Sequence, residues 1–154
     1  MVQIWELDPY PHGDPRLPHH IYPPRRLTTD ELSEHTGALL YKINPRDAVA
    51  SASRIATLKM ERQFVREDTF ILDQSCITNF SHQIGQLYSE TEVDEEMGRF
   101  VLEGENYYDI KGKGGKWMRV LCEPGDFIVI PLGITHRFTT TPSNYVKLKR
   151  FYKY

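Results

Sequence analysis

The chain has 154 residues, is 40% hydrophobic and carries 19 basic against 21 acidic residues. That length suits one globular domain with a substantial core, and the near balance of charge gives no basic groove of the kind that binds nucleic acid. The longest apolar runs are strand-length and far short of the roughly 20 residues that cross a bilayer, so we predict no membrane segment.

The N-terminus and the cysteines predict the compartment. The N-terminus lacks a basic-then-apolar signal pattern, and Cys76 and Cys122 form neither a C-x-x-C pair nor a disulfide framework. Both observations favour a reducing intracellular compartment, with the cytoplasm as the default and import into an organelle still open.

Proline dominates the start of the chain. Six of the ten prolines lie in residues 1–27, and because proline has no amide donor we predict an extended segment that runs over the surface. The segment also holds His12, His19 and His20. We interpret these as solvated loop histidines rather than metal ligands.

Three helices are predicted next. Thr28 and Glu31 have the spacing of a capping box, and Gly37 comes where a left-handed residue can end the helix. Residues 47–64 are rich in alanine and predict a second helix, either continuous or broken near Ser53. A third, shorter helix is predicted over residues 79–87.

From Arg99 onward, branched and aromatic residues alternate with turn residues, which is typical of short antiparallel strands. A glycine- and lysine-rich stretch at 111–116 predicts a hairpin loop. The predicted strands cover residues 100–104, 107–110, 117–121, 127–130, 136–140 and 145–151. The chain is therefore predicted to be mainly β with a few N-terminal helices, and the strands to form a sandwich or a small barrel.

One motif points to a particular barrel. Gly125, Pro131, Gly133 and His136 have the spacing G-x5-P-x-G-x2-H, which closes a cupin barrel and delivers one imidazole into it.

These residues resemble the acireductone dioxygenases of methionine salvage, which are small cupins. The resemblance implies one cupin domain, a double-stranded β-helix or jelly-roll barrel, over residues 1–154, with the barrel core at about 85–154. It also implies that Met1 is the family's own start and that the family's C-terminal segment, which folds back on the barrel, is absent. The match extends over nearly the whole chain and includes residues 1–3, Trp5, 13–16, 18–19, 40–42, 61–62, Gly104, 107–109, Trp117, 125–126, Pro131, Gly133, 136–139 and 144–145.

In that family an H-x-H-x3-E segment and a later histidine hold Fe(II) or Ni(II), and His136 matches the later histidine. An alignment without gaps places Thr91 and Val93 at the two other histidine positions and Met97 at the glutamate position. The resemblance thus implies that three of the four ligands are lost.

Other residues of the family's active site divide between retained and lost. Arg99 matches an arginine and Phe138 an aromatic residue of that site, and both would serve catalysis if activity survived. Leu87 stands where the family usually has phenylalanine.

Three carboxylates offer an alternative metal site. Glu90, Glu92 and Glu96 reproduce the ligand spacing one residue earlier and could bind an ion with His136. A slip of one residue in a strand, however, turns each side chain to the opposite face. We therefore interpret the glutamates as a solvated acidic surface.

Two glycines support the unshifted register. Cupins place five residues between a glycine and the first ligand, and six between the glutamate and a second glycine. Gly85 and Gly104 have these separations from Thr91 and Met97. Thr91, Val93 and Met97 are then predicted to fill the barrel interior.

Three functions remain as hypotheses. The first is a catalytically degenerate relative without a cofactor, acting as a structural or binding subunit whose protein partner covers the face left open by the missing C-terminal segment. The second is a metal-dependent acireductone dioxygenase that cleaves acireductone to formate and a 2-keto acid with Fe(II) or Ni(II). The third is a metal-free cupin that binds a small organic ligand through Thr91, Arg99 and His136.

Overall fold

The chain folds into two facing antiparallel sheets and three α-helices, as seen in a computed structural model that describes residues 3–8, 13–44 and 46–154. Pro9, Pro11 and His12 lie outside the described residues. The six-stranded sheet has the order β2-β1-β8-β7-β10-β5 and the five-stranded sheet the order β3-β9-β6-β11-β4. This architecture confirms the predicted mainly β fold.

The strands of the six-stranded sheet are β1 (Gln3–Glu6), β2 (Arg26–Leu27), β5 (Thr91–Glu92), β7 (Asn106–Lys111), β8 (Trp117–Cys122) and β10 (Thr135–Thr140). Those of the five-stranded sheet are β3 (Leu39–Lys42), β4 (Arg66–Asp73), β6 (Met97–Gly104), β9 (Asp126–Ile130) and β11 (Tyr145–Tyr152).

All three predicted helices are present, and α1 begins and ends where its capping residues predict. Helix α1 spans Thr29–Thr36, and its capping box is complete because Thr28 Oγ1 accepts from the Glu31 amide at 3.1 Å while Glu31 Oε1 accepts from the Thr28 amide at 3.2 Å. Helix α2 (Ala48–Arg62) is continuous, which excludes a break near Ser53. Helix α3 spans Phe80–Leu87.

Strand β1 lies within the segment predicted to run over the surface. It pairs with β8 and buries Ile4 and Trp5. Pro18, farther along the proline-rich segment, lies against this sheet, where Trp5 Nε1 donates to its carbonyl oxygen at 3.0 Å. Strands β1 to β4 all precede residue 85, so the sheets draw on more of the chain than residues 85–154.

Two cores explain why the last four residues of strand β9, 127–130, are all apolar. Ile128 and Ile130 face the other sheet and join the main core between the sheets. Phe127 and Val129 alternate with them and join an outer core beneath α2. None of the helices in the described ranges combines the length and apolarity needed to cross a membrane.

Gly104 occupies a position that no other residue fits well. Its φ is +71°, and a Cβ there would collide with the Tyr145 carbonyl oxygen, whereas Gly114 has φ +76° and nothing within 4 Å of the same point. We expect Gly114→Ala to lower the free energy of unfolding by about 1–2 kcal/mol from the left-handed conformation alone. Gly104→Ala should lower it further because the collision adds to that strain, and urea unfolding of both variants measures the difference. Equal losses would contradict the close approach of β6 and β11.

Candidate functional site

The predicted site residues meet at one end of the space between the sheets. β5 pairs with β10 so that Thr91 lies opposite His136. Val93 is held beside β10 as well, because its amide donates to the Ile134 carbonyl at 2.9 Å. Thr91, Val93, Met97 and His136 all line one cavity of about 360 Å³. The unshifted alignment therefore places the lost ligand positions around the retained histidine.

The three lost positions differ in burial. Val93 and Met97 are only 4% and 8% exposed and belong to the main core. Thr91 is exposed, which corrects the prediction that it fills the interior. Because β5 has only two residues and pairs only with β10, Thr91 remains at the open rim of the cavity.

The three glutamates do not converge on His136. Glu90 and Glu92 are exposed, and Glu92 lies opposite Thr135, whose side chain points to the other face of β10 from His136. Glu96 is half-buried. Its carboxylate lies 3.5 Å from Arg62 and 3.6 Å from Lys153.

His136 is held by the backbone of β5. Its Nδ1 lies 2.9 Å from the Thr91 carbonyl oxygen, and because that oxygen can only accept, Nδ1 carries the proton and Nε2 keeps its lone pair. Burial lowers the pKa of the imidazole, which the Thr91 hydrogen bond partly offsets and the Arg99 charge reinforces. The histidine is thus kept neutral.

A smaller chamber continues inward from His136. It has a volume of about 140 Å³ and is lined by Phe70, Leu87, Met97, Arg99, Tyr108, His136, Phe138, Leu148 and Arg150. Arg99 and Phe138, the two residues that match the family's active site, both line it. Met97, Arg99 and His136 also line the larger cavity, so the two spaces meet at these side chains.

The chamber carries more positive charge than the sequence indicated. Arg99, Arg150 and Asp68 lie in one row across β6, β11 and β4, and Arg150 pairs with Asp68 through two contacts of 2.8 Å. Arg66 joins them, since the Cζ atoms of Arg66, Arg99 and Arg150 lie 4.2, 5.5 and 5.9 Å from the Tyr152 ring centroid. Three guanidinium groups therefore gather around Tyr152, and Asp68 is paired with the one that belongs to Arg150.

A second charged row lies on the outer face of the six-stranded sheet. Asp109 stands between Arg119 and Arg137 on neighbouring strands. It accepts from Arg119 at 2.6 and 2.9 Å and lies 3.7 Å from Arg137, and Asp109 and Arg119 are fully buried. Burial raises the pKa of the Tyr88 phenol, and the Asp109 carboxylate, which accepts from its hydroxyl, raises it further. Sequence reasoning did not single out this cluster, because only the strand register brings its members together.

The donor set does not fit the family's metal. Fe(II) and Ni(II) need several nitrogen or oxygen donors around one point, and valine and methionine at two of the ligand positions supply no such donor. Within residues 3–8, 13–44 and 46–154, no group of three or more His, Cys, Asp or Glu is placed to hold an ion.

The dependence of stability on pH tests whether the fold lowers the pKa of His136. A histidine with a lowered pKa in the fold gives its full stabilisation above its unfolded pKa of about 6.5 and loses it as pH falls through the folded value. We expect the wild-type melting temperature to fall as pH drops below about 6.5, and His136→Gln to flatten that fall. His82→Gln, an exposed change on α3, is the control. An unchanged pH dependence in His136→Gln would contradict the assignment.

Comparisons with known proteins agree with this geometry. The family model described as "ARD/ARD' family" matches residues 3–154. The chain is 52% identical to the Caenorhabditis elegans protein named "Probable inactive acireductone dioxygenase 2", over 99% of this chain and 97% of that one. It is 33% identical to the "Acireductone dioxygenase" of Drosophila melanogaster, over 99% of this chain and 81% of that one.

A solved structure shares the fold. The acireductone dioxygenase from Bacillus anthracis, described with a cadmium ion in its active centre, superposes with a TM-score of 0.78 at 20% identity, covering 100% of this chain and 94% of that one. The predicted cupin fold is thereby confirmed.

Proposed function

The chain belongs to the acireductone dioxygenase family, and from that premise we propose that it is a catalytically silent member that acts as a binding subunit of a protein assembly. One observation carries the proposal: the side chains at two of the family's ligand positions, Val93 and Met97, are buried and apolar. They occupy the space that a ligand set would need.

The name of the Caenorhabditis elegans relative supports the same interpretation. That protein is described as a probable inactive dioxygenase and is 52% identical to this chain over nearly the full length of both.

The carboxylate-ligand version of the enzyme has little support. It requires some of Glu90, Glu92 and Glu96 to bind an ion with His136, yet Glu92 lines the 360 Å³ cavity from a position opposite Thr135 rather than His136, and Glu96 is paired with two cations. We assign Glu90 and Glu92 to the solvated surface, whereas Glu96 is half-buried between Arg62 and Lys153, which corrects its interpretation as a solvated residue. No step of the dioxygenase reaction is assigned to this chain's residues.

Strand β4 supports the binding role. It is the last strand of its sheet, so one side of its eight-residue backbone is open for pairing. Val65, which directly precedes it, and Ile71 within it are 73% and 53% exposed. An open edge beside exposed apolar side chains is a typical surface for a protein partner.

Two measurements test these two parts of the proposal separately. Purified protein supplied with Fe(II) or Ni(II) should consume no oxygen with acireductone above the rate without protein, and metal-dependent turnover would refute catalytic silence.

For the partner, the native complex is first isolated from the source organism under mild conditions and its mass is measured. We expect a mass above that of one chain, and Ile71→Asp should release the partner. Leu132→Asp, which alters another exposed apolar residue away from β4, should not. A native mass of one chain, or release by neither variant, would refute the binding role.

A second candidate function has an observation of its own. The 140 Å³ chamber combines apolar walls with the guanidinium groups of Arg99 and Arg150, which suits a small organic anion bound without metal. A short-chain carboxylate should then raise the melting temperature of the wild type but not of Arg99→Met. An equal response of both proteins would remove this candidate.

A further inference from the structure

The outer core beneath α2 is incomplete. Leu58 is 3% exposed and closes the core at the C-terminal end of the helix. Toward its N-terminal end, α2 presents alanine side chains, which are too short to reach the sheet. A cavity of about 590 Å³ remains between the helix and strands β4, β6 and β11, and that volume lies in the range typical of small-molecule sites.

The cavity walls are mainly apolar, with Ser51 and three charged side chains among them. Ile55 and Ala52 of α2 face Phe100 and Leu102 of β6 across it. Ile55, Phe100 and Leu102 are members or neighbours of the outer core cluster, so the floor of the cavity is continuous with that core, while exposed alanines of α2 form its rim. An apolar chain inserted here would be shielded from water by α2 on one side and by the sheet on the other.

One end of the cavity is charged, and the charges do not balance. Lys59, Glu67 and Lys149 line it. Glu67 pairs with Lys59 at 3.7 Å, and in the described part of the chain Lys149 is half-buried and has no ion pair within 4.0 Å. A single surplus ammonium group therefore stands at the end of an apolar slot.

We propose that this cavity binds a free fatty acid, with its carboxylate at Lys149 and its alkyl chain between α2 and β6. The charge favours a ligand with one negative charge, since Glu67 is paired with Lys59 and the ammonium group of Lys149 remains. The shape suits a single chain, since α2 lines the slot on one side and the strands of the sheet line it on the other. The lined part of α2 runs from Ala48 to Lys59, which is roughly 16 Å along a helix and sets the length of chain that fits. This site is separate from the smaller chamber that Arg99 and His136 line. The proposal does not depend on whether the protein is catalytically silent.

The test measures binding of dodecanoate and of dodecan-1-ol to the full chain by isothermal titration calorimetry. We expect dodecanoate to bind saturably at one site and Lys149→Glu to weaken it about tenfold or more, as loss of a charge-assisted contact does. The alcohol should bind correspondingly more weakly, and Ala52→Trp, which fills the slot, should abolish binding.

Two controls fix the location. Lys147→Glu makes the same charge change on the same strand at a residue that pairs with Glu103, and Arg99→Met alters the smaller chamber; neither should change dodecanoate affinity. Methyl NMR of the wild type should show shifts concentrated at Ala52, Ile55 and Leu102, which decides the site even if Ala52→Trp does not fold. No saturable binding, equal affinity for the alcohol, or shifts concentrated elsewhere would overturn the proposal.

Discussion

The triple substitution Thr91→His, Val93→His and Met97→Glu should turn this chain into a metal-binding protein. The three positions already line one cavity with His136, and β5 holds position 91 directly opposite it. Two imidazoles and a carboxylate added to a neutral imidazole complete a donor set that suits Fe(II) or Ni(II). We expect stoichiometric retention of Ni(II) after desalting, measured by elemental analysis, and a melting temperature that rises with added metal.

A register-shifted variant is the control for that result. Glu90→His with Glu92→His adds the same number of imidazoles one residue earlier and keeps Glu96. A shift of one residue turns both new side chains to the face opposite that of position 91, which pairs with His136, so this variant should retain no stoichiometric metal. Equal retention by the shifted variant, or none by a folded triple variant, would contradict the register of β5 and β6.

Asp109→Asn should be among the most destabilising single changes in the protein. It leaves Arg119 and Arg137, 0% and 8% exposed at the side chain, beside a neutral group. Removal of one partner from a buried ion pair typically costs 3–5 kcal/mol, because the remaining charge is left uncompensated. For a chain of this size we expect the melting temperature to fall by roughly 10 °C, measured by calorimetry.

An exposed ion pair provides the comparison. Glu103 and Lys147 lie 3.8 Å apart with side chains 57% and 37% exposed. Glu103→Gln should cost less than about 1 kcal/mol, because water and salt screen that pair. If Asp109→Asn cost no more than Glu103→Gln, the buried row would not be a main source of stability.

Local sequence signals predicted most of the helices and the C-terminal strands. The capping box at Thr28 and the glycine at position 37 set the bounds of α1 closely. Strand β4 was not predicted, because its first three residues, Arg66, Glu67 and Asp68, are charged and its apolar residues come only after them. Strand β1 was not predicted because proline-rich sequence follows it.

The features of the candidate site likewise divide into those that the sequence predicted and those that it did not. The spacing to Gly85 and Gly104 was enough to place Val93 and Met97 inside, because register in a strand decides which face each residue takes. The exposure of Thr91 depends on the shortness of β5 at the edge of its sheet. The Asp68–Arg150–Arg99 row depends on the pairing of three strands that are distant in sequence. Neither feature has a local sequence signal.

The most direct test of catalytic silence is the metal content of the wild-type chain. Purified protein is incubated anaerobically with excess Fe(II) or Ni(II), desalted, and analysed for both elements beside the triple variant. We predict that the wild type retains no more metal than a protein without a metal site, because Val93 and Met97 occupy ligand positions with side chains that do not coordinate these ions well. Stoichiometric iron or nickel in the wild type would contradict the proposal.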